Sequence, residues 1–564
     1  MTGLEIFYKI CLLLGGLAVF MFGMKILGDG LENLAGNKIK VLLGKATSNR
    51  FAGVAVGTGV TAIIQSSSAT TVMLVGFVNV GLMTLTQAAS VILGANIGTT
   101  VTLQIVSLKA YFDVTAIVSL FAAVGLFMTL FAKRKRTEKI GVILIALGML
   151  FIGLEFMSNA TEAFRELPAF NNIFQTVTNP FLLILIGFIF TAIIQSSSAA
   201  TTILAGFVVA GGASGGMSID CAFYAVLGMN LGTCVTAVIS SMGTTVNAKR
   251  TAFFHFLVKL IGCVVFGLIL YFFMDPILDF FVWISGPDPT RQLANFHTIF
   301  NVLLTLLLLP LLDVLVKLTE KIISGKDEEQ KGFHLYYLDE RLLETPPVAV
   351  AEAVEEIHNM ADIVERNLNM AVDAFFTHNI TTEEKIRHTE EEIDFLTDAI
   401  TKFLVKISSL DITFDDEKLI GTLFHVITDL ERVGDYADNM INYAVKMHNN
   451  GWSLSEGAER EVHEMYELVM EHFRVSMEAQ RTCNLLLLNK VAELEDLIDD
   501  KKASMSDSHV RRLNKGTCSA EVGAIFLSVT SNFERIADHM TNVAFSIKDY
   551  TKSKSMSVKK LPTA

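Results

Sequence analysis

Two uncharged polar tetrads stand inside apolar sequence. Gln65-Ser66-Ser67-Ser68 lies in TAIIQSSSATT, and Gln195-Ser196-Ser197-Ser198 lies in TAIIQSSSAATT, 130 residues further on. Amides and hydroxyls both donate and accept hydrogen bonds, and hydrocarbon penalises each one left unsatisfied. A single tetrad is explained by helix packing. A matched pair predicts a site assembled from duplicated, non-regular membrane segments. No charged residue occurs between residues 51 and 108, and Asp220 is the one between 167 and 248. An ion held here would therefore meet neutral ligands. The N–H groups of a half-helix start favour an anion, and exposed carbonyls beside them suit Na⁺. An oxyanion and Na⁺ held side by side offset each other's charge, which is a coupling mechanism.

The elements that must position these residues are duplicated too. Gly23 matches Gly153, Gly57 matches Gly187 and Gly76 matches Gly206, all at the same offset of 130. Gly94-Ala95-Asn96-Ile97-Gly98-Thr99 then matches Gly228-Met229-Asn230-Leu231-Gly232-Thr233 at 134, which puts an insertion in the Gly-rich loop 211–216. A shared offset with one loop insertion is the trace of an internal duplication.

Composition divides the chain near residue 319. Residues 1–319 hold 18 Lys+Arg and 13 Asp+Glu, and residues 320–564 hold 27 and 45, so an apolar, slightly basic part precedes an acidic one. That acidity argues against nucleic-acid binding. The six cysteines form no CxxC pair, which predicts neither a disulfide framework nor a zinc site.

Apolar segments near 5–27, 52–80, 85–107, 112–132, 139–158, 180–209, 219–242, 253–274 and 296–316 are long enough to enter a bilayer. Basic residues follow the first (Lys38, Lys40, Lys45, Arg50), the fourth (Lys133 to Arg136) and the seventh (Lys249, Arg250). The positive-inside tendency makes all three cytoplasmic. Between the first two clusters lie three segments, yet an even number of crossings is required. One segment must enter and return, and 52–80 is the polar, Gly-rich candidate. The second copy, with Glu162, Arg165 and Glu166 in its external loop, runs in the opposite orientation. The expected fold is all-α: a polytopic membrane protein with inverted-topology repeats and two re-entrant hairpins. The expected organisation is repeat 1 at about 5–132, repeat 2 at about 139–274, an extra helix at about 296–316, a linker at 321–345, a cytoplasmic helical bundle at 346–550 and a tail at 551–564.

Duplicated QSSS segments, each followed by GxNxGT, resemble the type II sodium/phosphate cotransporters over about residues 1–320. The resemblance implies that both tetrads form a central site for inorganic phosphate and Na⁺. It implies Thr70, Thr71, Asn96, Thr99, Thr201, Thr202, Asn230 and Thr233 as companions. Glu155, His255 and Lys259 are further intramembrane ionisable residues, a class that is functional by default.

Residues 348–550 carry apolar positions at three- and four-residue spacing, as in VAEAVEEIHNMADIVERNLNMAVDAF, the pattern of an amphipathic helical bundle. VITDLERVGDYADNM (426–440) matches VTSNFERIADHMTNV (529–543). Glu431 and Asp435 thus pair on one helix face, and Glu534 and Asp538 on another, which suits hard or borderline metal ions. This part resembles the PhoU family. The resemblance implies a regulator of phosphate uptake that holds a divalent or ferric metal through Glu431, Asp435, Glu534 and Asp538. The whole reads as a non-enzymatic, Na⁺-coupled phosphate symporter of the bacterial inner membrane with a cytoplasmic regulator; a homo-oligomer such as a dimer is compatible with the sequence, which does not fix the oligomeric state. No P-loop, nucleophile elbow or HExxH pattern argues for an enzyme. A transporter of another oxyanion, a phosphate exporter and a channel-like sensor are the alternatives.

Overall fold

The structure is a computed structural model that describes residues 3–35, 49–110, 114–132, 135–164, 177–209, 217–325, 332–410 and 412–548. Lys38, Lys40, Lys45, Lys133, Arg134, Arg165, Glu166 and the loop 211–216, all used in the topology argument, lie outside the described residues. Every regular element among the described residues is helical. The chain forms two compact units. One lies within residues 1–328 and includes 339–348, and the other comprises 329–338 and the chain from 349.

The first unit runs α1 (Gly3–Ala35), α2 (Arg50–Ile64), α3 (Ser67–Asn79), α4 (Leu85–Gly98), α5 (Thr100–Val106) and α6 (Val114–Phe131). The order then repeats as α7 (Lys135–Phe164), α8 (Pro180–Ile194), α9 (Ser197–Val209), α10 (Ile219–Gly232), α11 (Cys234–Ser240) and α12 (Val246–Ser285). Among the described residues, five helical stretches are long and apolar enough to cross a membrane, including Leu4–Leu31, Thr137–Met157 and Val246–Ser285. The unit is a membrane protein.

Each tetrad breaks its helix at the same residue. Gln65 (φ 59°) and Gln195 (φ 56°) both adopt the left-handed conformation, which is uncommon away from glycine. The following serine restarts the helix as its N-cap: Ser66 Oγ accepts from Ala69 N, and Ser196 Oγ from Ala199 N. The break turns the chain back. Thr61 Oγ1 donates to Thr70 Oγ1 at 3.1 Å, although a straight helix would hold residues nine apart roughly 13 Å from each other. α2–α3 is therefore a hairpin, and α8–α9 packs likewise.

Glycines let each hairpin's first arm lie directly on the helix that follows it. Gly57 and Gly94 seat α2 on α4, and Gly187 and Gly228 seat α8 on α10, with backbone carbonyls of the facing helix where a Cβ would stand. Small residues allow this approach in membranes. The matched Gly23 and Gly153 lie on α1 and α7, which pack on each other.

Two expectations need correction. The segment 296–316 is not one helix. α13 (Pro289–Leu308) and α14 (Leu312–Ile322) meet at 81°, at Pro310, which has no N–H to continue the ladder. The segment 321–345 is not linker throughout. Asp339 caps a short 3-10 helix, Glu340–Glu344, and this strap is fastened to the first unit. Asn79 Nδ2 donates to Asp339 Oδ2 at 2.7 Å, and Arg341 Nε donates to the Ser240 carbonyl at 2.6 Å.

The second unit is a bundle of α15 (Pro346–Thr377), α16 (Glu383–Ser408), α17 (Phe414–Asn450), α18 (Glu456–Thr482), α19 (Leu487–Asn514) and α20 (Ala520–Phe545), the start of α15 lying in the first unit. Its core is the apolar stripe read from the sequence, with Leu368, Leu396, Leu430, Met465 and Phe533 all buried.

Candidate functional site

Both tetrads line one cavity of about 330 Å³. Gln65 to Ser68 come from the first hairpin and Gln195 to Ser198 from the second. The sites where α3 and α9 begin therefore border the same space, and their first N–H groups have no partner within the helix. Thr102 on α5 ties the hairpins together. Its hydroxyl donates to Gln65 Oε1 at 2.9 Å and accepts from Ser198 Oγ at 3.3 Å. Sequence reasoning missed Thr102. Its signal was the second repeat's Thr236 at the same 134-residue offset, a threonine whose hydroxyl is buried without a partner.

The companion threonines lie beside the cavity rather than on its wall. Thr70, Thr71, Thr201 and Thr202 are buried, and their hydroxyls donate to carbonyls one turn back, at Ser66, Ser67, Ser197 and Ser198 respectively. They brace the tips of the hairpin arms. Asn96, Thr99, Asn230 and Thr233 are buried on or just after α4 and α10 and do not border it. Thr99 and Thr233 donate to the carbonyls of Ala95 and Asn230.

The cavity is not lined by neutral residues alone, as expected from the tetrads. Lys25 and Asp29 of α1 and Glu344 of the strap also border it. The hairpins are uncharged because their polar groups sit among packed helices. The charges are delivered by elements distant in sequence.

The sequence profile of the Na⁺/Pi-cotransporter family matches residues 19–159 and 164–277, and that of the PhoU domain matches 357–444 and 462–547. YqeW of Bacillus subtilis, an uncharacterized protein, is 32% identical over 310 residues, covering 54% of this chain and 96% of YqeW. The chain belongs to the Na⁺/Pi-cotransporter family. YjbB of Salmonella typhimurium, provisionally named for inorganic phosphate export, is 25% identical across 95% of this chain and 96% of its own. Sodium-dependent phosphate transport protein 2A of Rattus norvegicus is 39% identical over 110 residues, 19% of this chain and 17% of the rat protein. This family member is a phosphate-transport protein of the membrane, with a PhoU domain at its C-terminal side.

In this protein's PhoU domain, the acidic pairs have partners that sequence reasoning missed. Glu390 and Asp394 on α16 face Glu431 and Asp435 on α17. Glu495 and Asp499 on α19 face Glu534 and Asp538 on α20. The missed pairs are themselves a repeat, 105 residues apart, with the same four-residue spacing. Burial, then the charges of Asp435, Asp394, Asp438 and Glu431, push the Glu390 carboxyl up to about 8. Burial likewise raises Glu431, Asp435, Glu495 and Asp538, reinforced by neighbouring acids. Both Glu390 oxygens are buried and, among the described residues, have no hydrogen-bond partner. That charge pattern fits a cation, but the geometry does not close around one. Among the described residues, no three His, Cys, Asp or Glu side chains gather tightly enough to hold a metal ion, and Glu534 is paired with Lys502 at 3.0 Å. The expected metal centre at Glu431, Asp435, Glu534 and Asp538 is therefore not formed in this structure.

A pH dependence follows. Glu390's folded value lies above its ordinary 4.5, so the stability it contributes is fully present below pH 4.5 and lost as pH rises through about 8. Thermal unfolding of the PhoU domain, followed by Trp452 fluorescence in a full-length Trp283→Phe background, is expected to fall over that window. Glu390→Gln should flatten the decline, and an unchanged slope would place the titration elsewhere.

Proposed function

We propose that this protein couples movement of inorganic phosphate to Na⁺ across a bacterial cytoplasmic membrane, with the anion held between the two tetrads. The observation that carries this reading is the single cavity bordered by both hairpin tips, each with a left-handed glutamine and a restarting helix. Two helix N-termini supply about half a positive charge each. Their sum is about one unit, less than a phosphate dianion carries. Lys25 is more than offset by Asp29 and Glu344 among the lining residues, so the balance must arrive with the substrate. Co-bound Na⁺ ions supply it, and the anion is then held well only with the cations present.

The strap gives the C-terminal side of the chain a covalent route to this site. Asp339 and Arg341 fix it to α3 and α11, and Glu344 borders the cavity. The PhoU domain begins immediately after it in sequence and, with Arg250 and Lys249 marking the cytoplasmic face, is assigned to the cytoplasm as a regulator of flux.

Export is a second reading of direction. It is favoured by YjbB, which aligns along nearly its whole length and is named for export. Purified protein in vesicles decides both points. With Na⁺ outside, labelled phosphate is expected to accumulate at least tenfold over a choline control. Phosphate efflux from loaded vesicles should rise when the gradient is reversed. Accumulation unchanged in choline would remove sodium coupling from the reading, and equal competition by sulfate would remove phosphate selectivity.

A further inference from the structure

The two repeats carry matched asparagines, Asn96 on α4 and Asn230 on α10. Both are buried, with 1% and 4% of their surface exposed, but their surroundings differ. Asn230 Oδ1 accepts a hydrogen bond from Lys259 Nζ on α12. Its Nδ2 donates to Asn301 Oδ1 on α13 at 3.4 Å. Asn96 has no such company: among the described residues, neither its Oδ1 nor its Nδ2 has a hydrogen-bond partner.

A difference between the two repeats in sequence accompanies this asymmetry. The position 134 residues before Lys259 is Gly125 on α6. Gly125 has no side chain to offer, and its α-carbon is pressed against the Gly141 backbone of α7. At the offset position the first repeat thus carries no lysine.

Lys259 is itself 1% exposed, and among the described residues no carboxylate pairs with it. The titratable groups facing it are Cys234 on α11, His255 on its own helix and His297 on α13. Each histidine has a buried Nδ1 without a partner. Burying an ammonium in a membrane protein is costly, and such groups are kept where they act. Transporters likewise coordinate alkali ions through neutral carbonyl oxygens. Conversely, a buried amide oxygen left unpaired is destabilising unless something binds it.

We propose that Lys259 is a tethered cation. Its ammonium fills, in the second repeat, the place that a mobile Na⁺ takes at Asn96 in the first. One of two symmetry-related cation sites is thus permanently occupied, and the cycle uses one Na⁺ fewer than a protein with two open sites. This inference rests on the sodium-coupled reading above.

The test measures labelled Na⁺ and labelled phosphate moved together by full-length protein in vesicles. Lys259→Gln, which removes the charge and ends one atom short of the ammonium, is expected to move one more Na⁺ per phosphate than the wild type, and Lys259→Arg to keep the wild-type ratio. Asn96→Leu is expected to raise the Na⁺ concentration for half-maximal flux at least tenfold. A wild-type ratio in Lys259→Gln overturns the proposal. So does proton-driven phosphate flux, without Na⁺, that Lys259→Gln abolishes, since Lys259 would then be a proton carrier. If Lys259→Gln does not fold, Asn96→Leu decides alone, and an unshifted Na⁺ dependence overturns the proposal. Wild-type flux indifferent to Na⁺ would instead mark the failure of the sodium reading, and the tethered cation would fall with it.

Discussion

Gln65→Glu and Gln195→Glu are each expected to lower phosphate flux at least a hundredfold while the protein still reaches the membrane folded. Both glutamines border the cavity and stand at the helix breaks. Gln65 uses its amide in both senses: Nε2 donates to the Ala62 carbonyl at 2.5 Å, and Oε1 accepts from Thr102 Oγ1 at 2.9 Å. The substitution keeps the acceptor and the shape. It removes the donor and sets a negative charge against the anion. At about 5 Å and an effective dielectric of about 20, two unit charges repel by about 3 kcal/mol, which corresponds to about two orders of magnitude in occupancy. A phosphate dianion is repelled more. Flux of labelled phosphate and calorimetric phosphate binding report this together. Wild-type affinity in either variant would move the anion out of this cavity. Thr71→Val is the useful contrast, because its hydroxyl donates to the Ser67 carbonyl one turn back and does not border the space. Its effect should be modest.

Gly94→Ala and Gly228→Ala are expected to destroy the packing that carries the hairpins. A Cβ at Gly94 would stand 2.0 Å from the Val54 carbonyl oxygen, and one at Gly228 would stand 1.9 Å from that of Ile184. Neither neighbour can rotate away, since both are backbone atoms of a packed helix. The helices must part, and every side-chain contact along α2–α4 or α8–α10 loosens with them. Overpacking commonly costs about 1–3 kcal/mol and more where nothing can yield. These sites belong at or beyond the upper end. Gly59→Ala and Gly206→Ala supply the control, since nothing lies within 4 Å of a Cβ at either. Thermal stability and monodispersity in detergent should fall for the first pair and hold for the second. If all four behave alike, close backbone contact is not what seats the hairpins.

Much of this was legible before any fold was known. The tetrads, the matched glycines and the GxNxGT pair are local strings repeated at fixed offsets, and a repeated string reports a repeated structure wherever it folds. The split between an apolar part and an acidic part was equally visible, because bilayer and water select composition segment by segment. The break at Pro310 was missed because the hydrophobicity runs on through it, while the missing N–H is felt only by the helix. The PhoU acids were half read. Glu431 and Glu534 sit in an obvious repeat, whereas Glu390 and Glu495 lie on other helices and gain meaning only when α16 faces α17 and α19 faces α20.

The sequence by itself determined the membrane character, the duplication, the tetrads and the uncharged hairpins, because each follows from composition or from residues near one another in the chain. Tertiary structure alone decided that Thr102 bridges the two hairpins, that Lys25, Asp29 and Glu344 reach the same cavity, and that Lys259 serves Asn230 while Asn96 is left without a partner. Those contacts join residues about 30 to 300 positions apart. Which of many buried polar groups meet is set by how the helices pack, and helix packing is a property of whole surfaces that no short string contains.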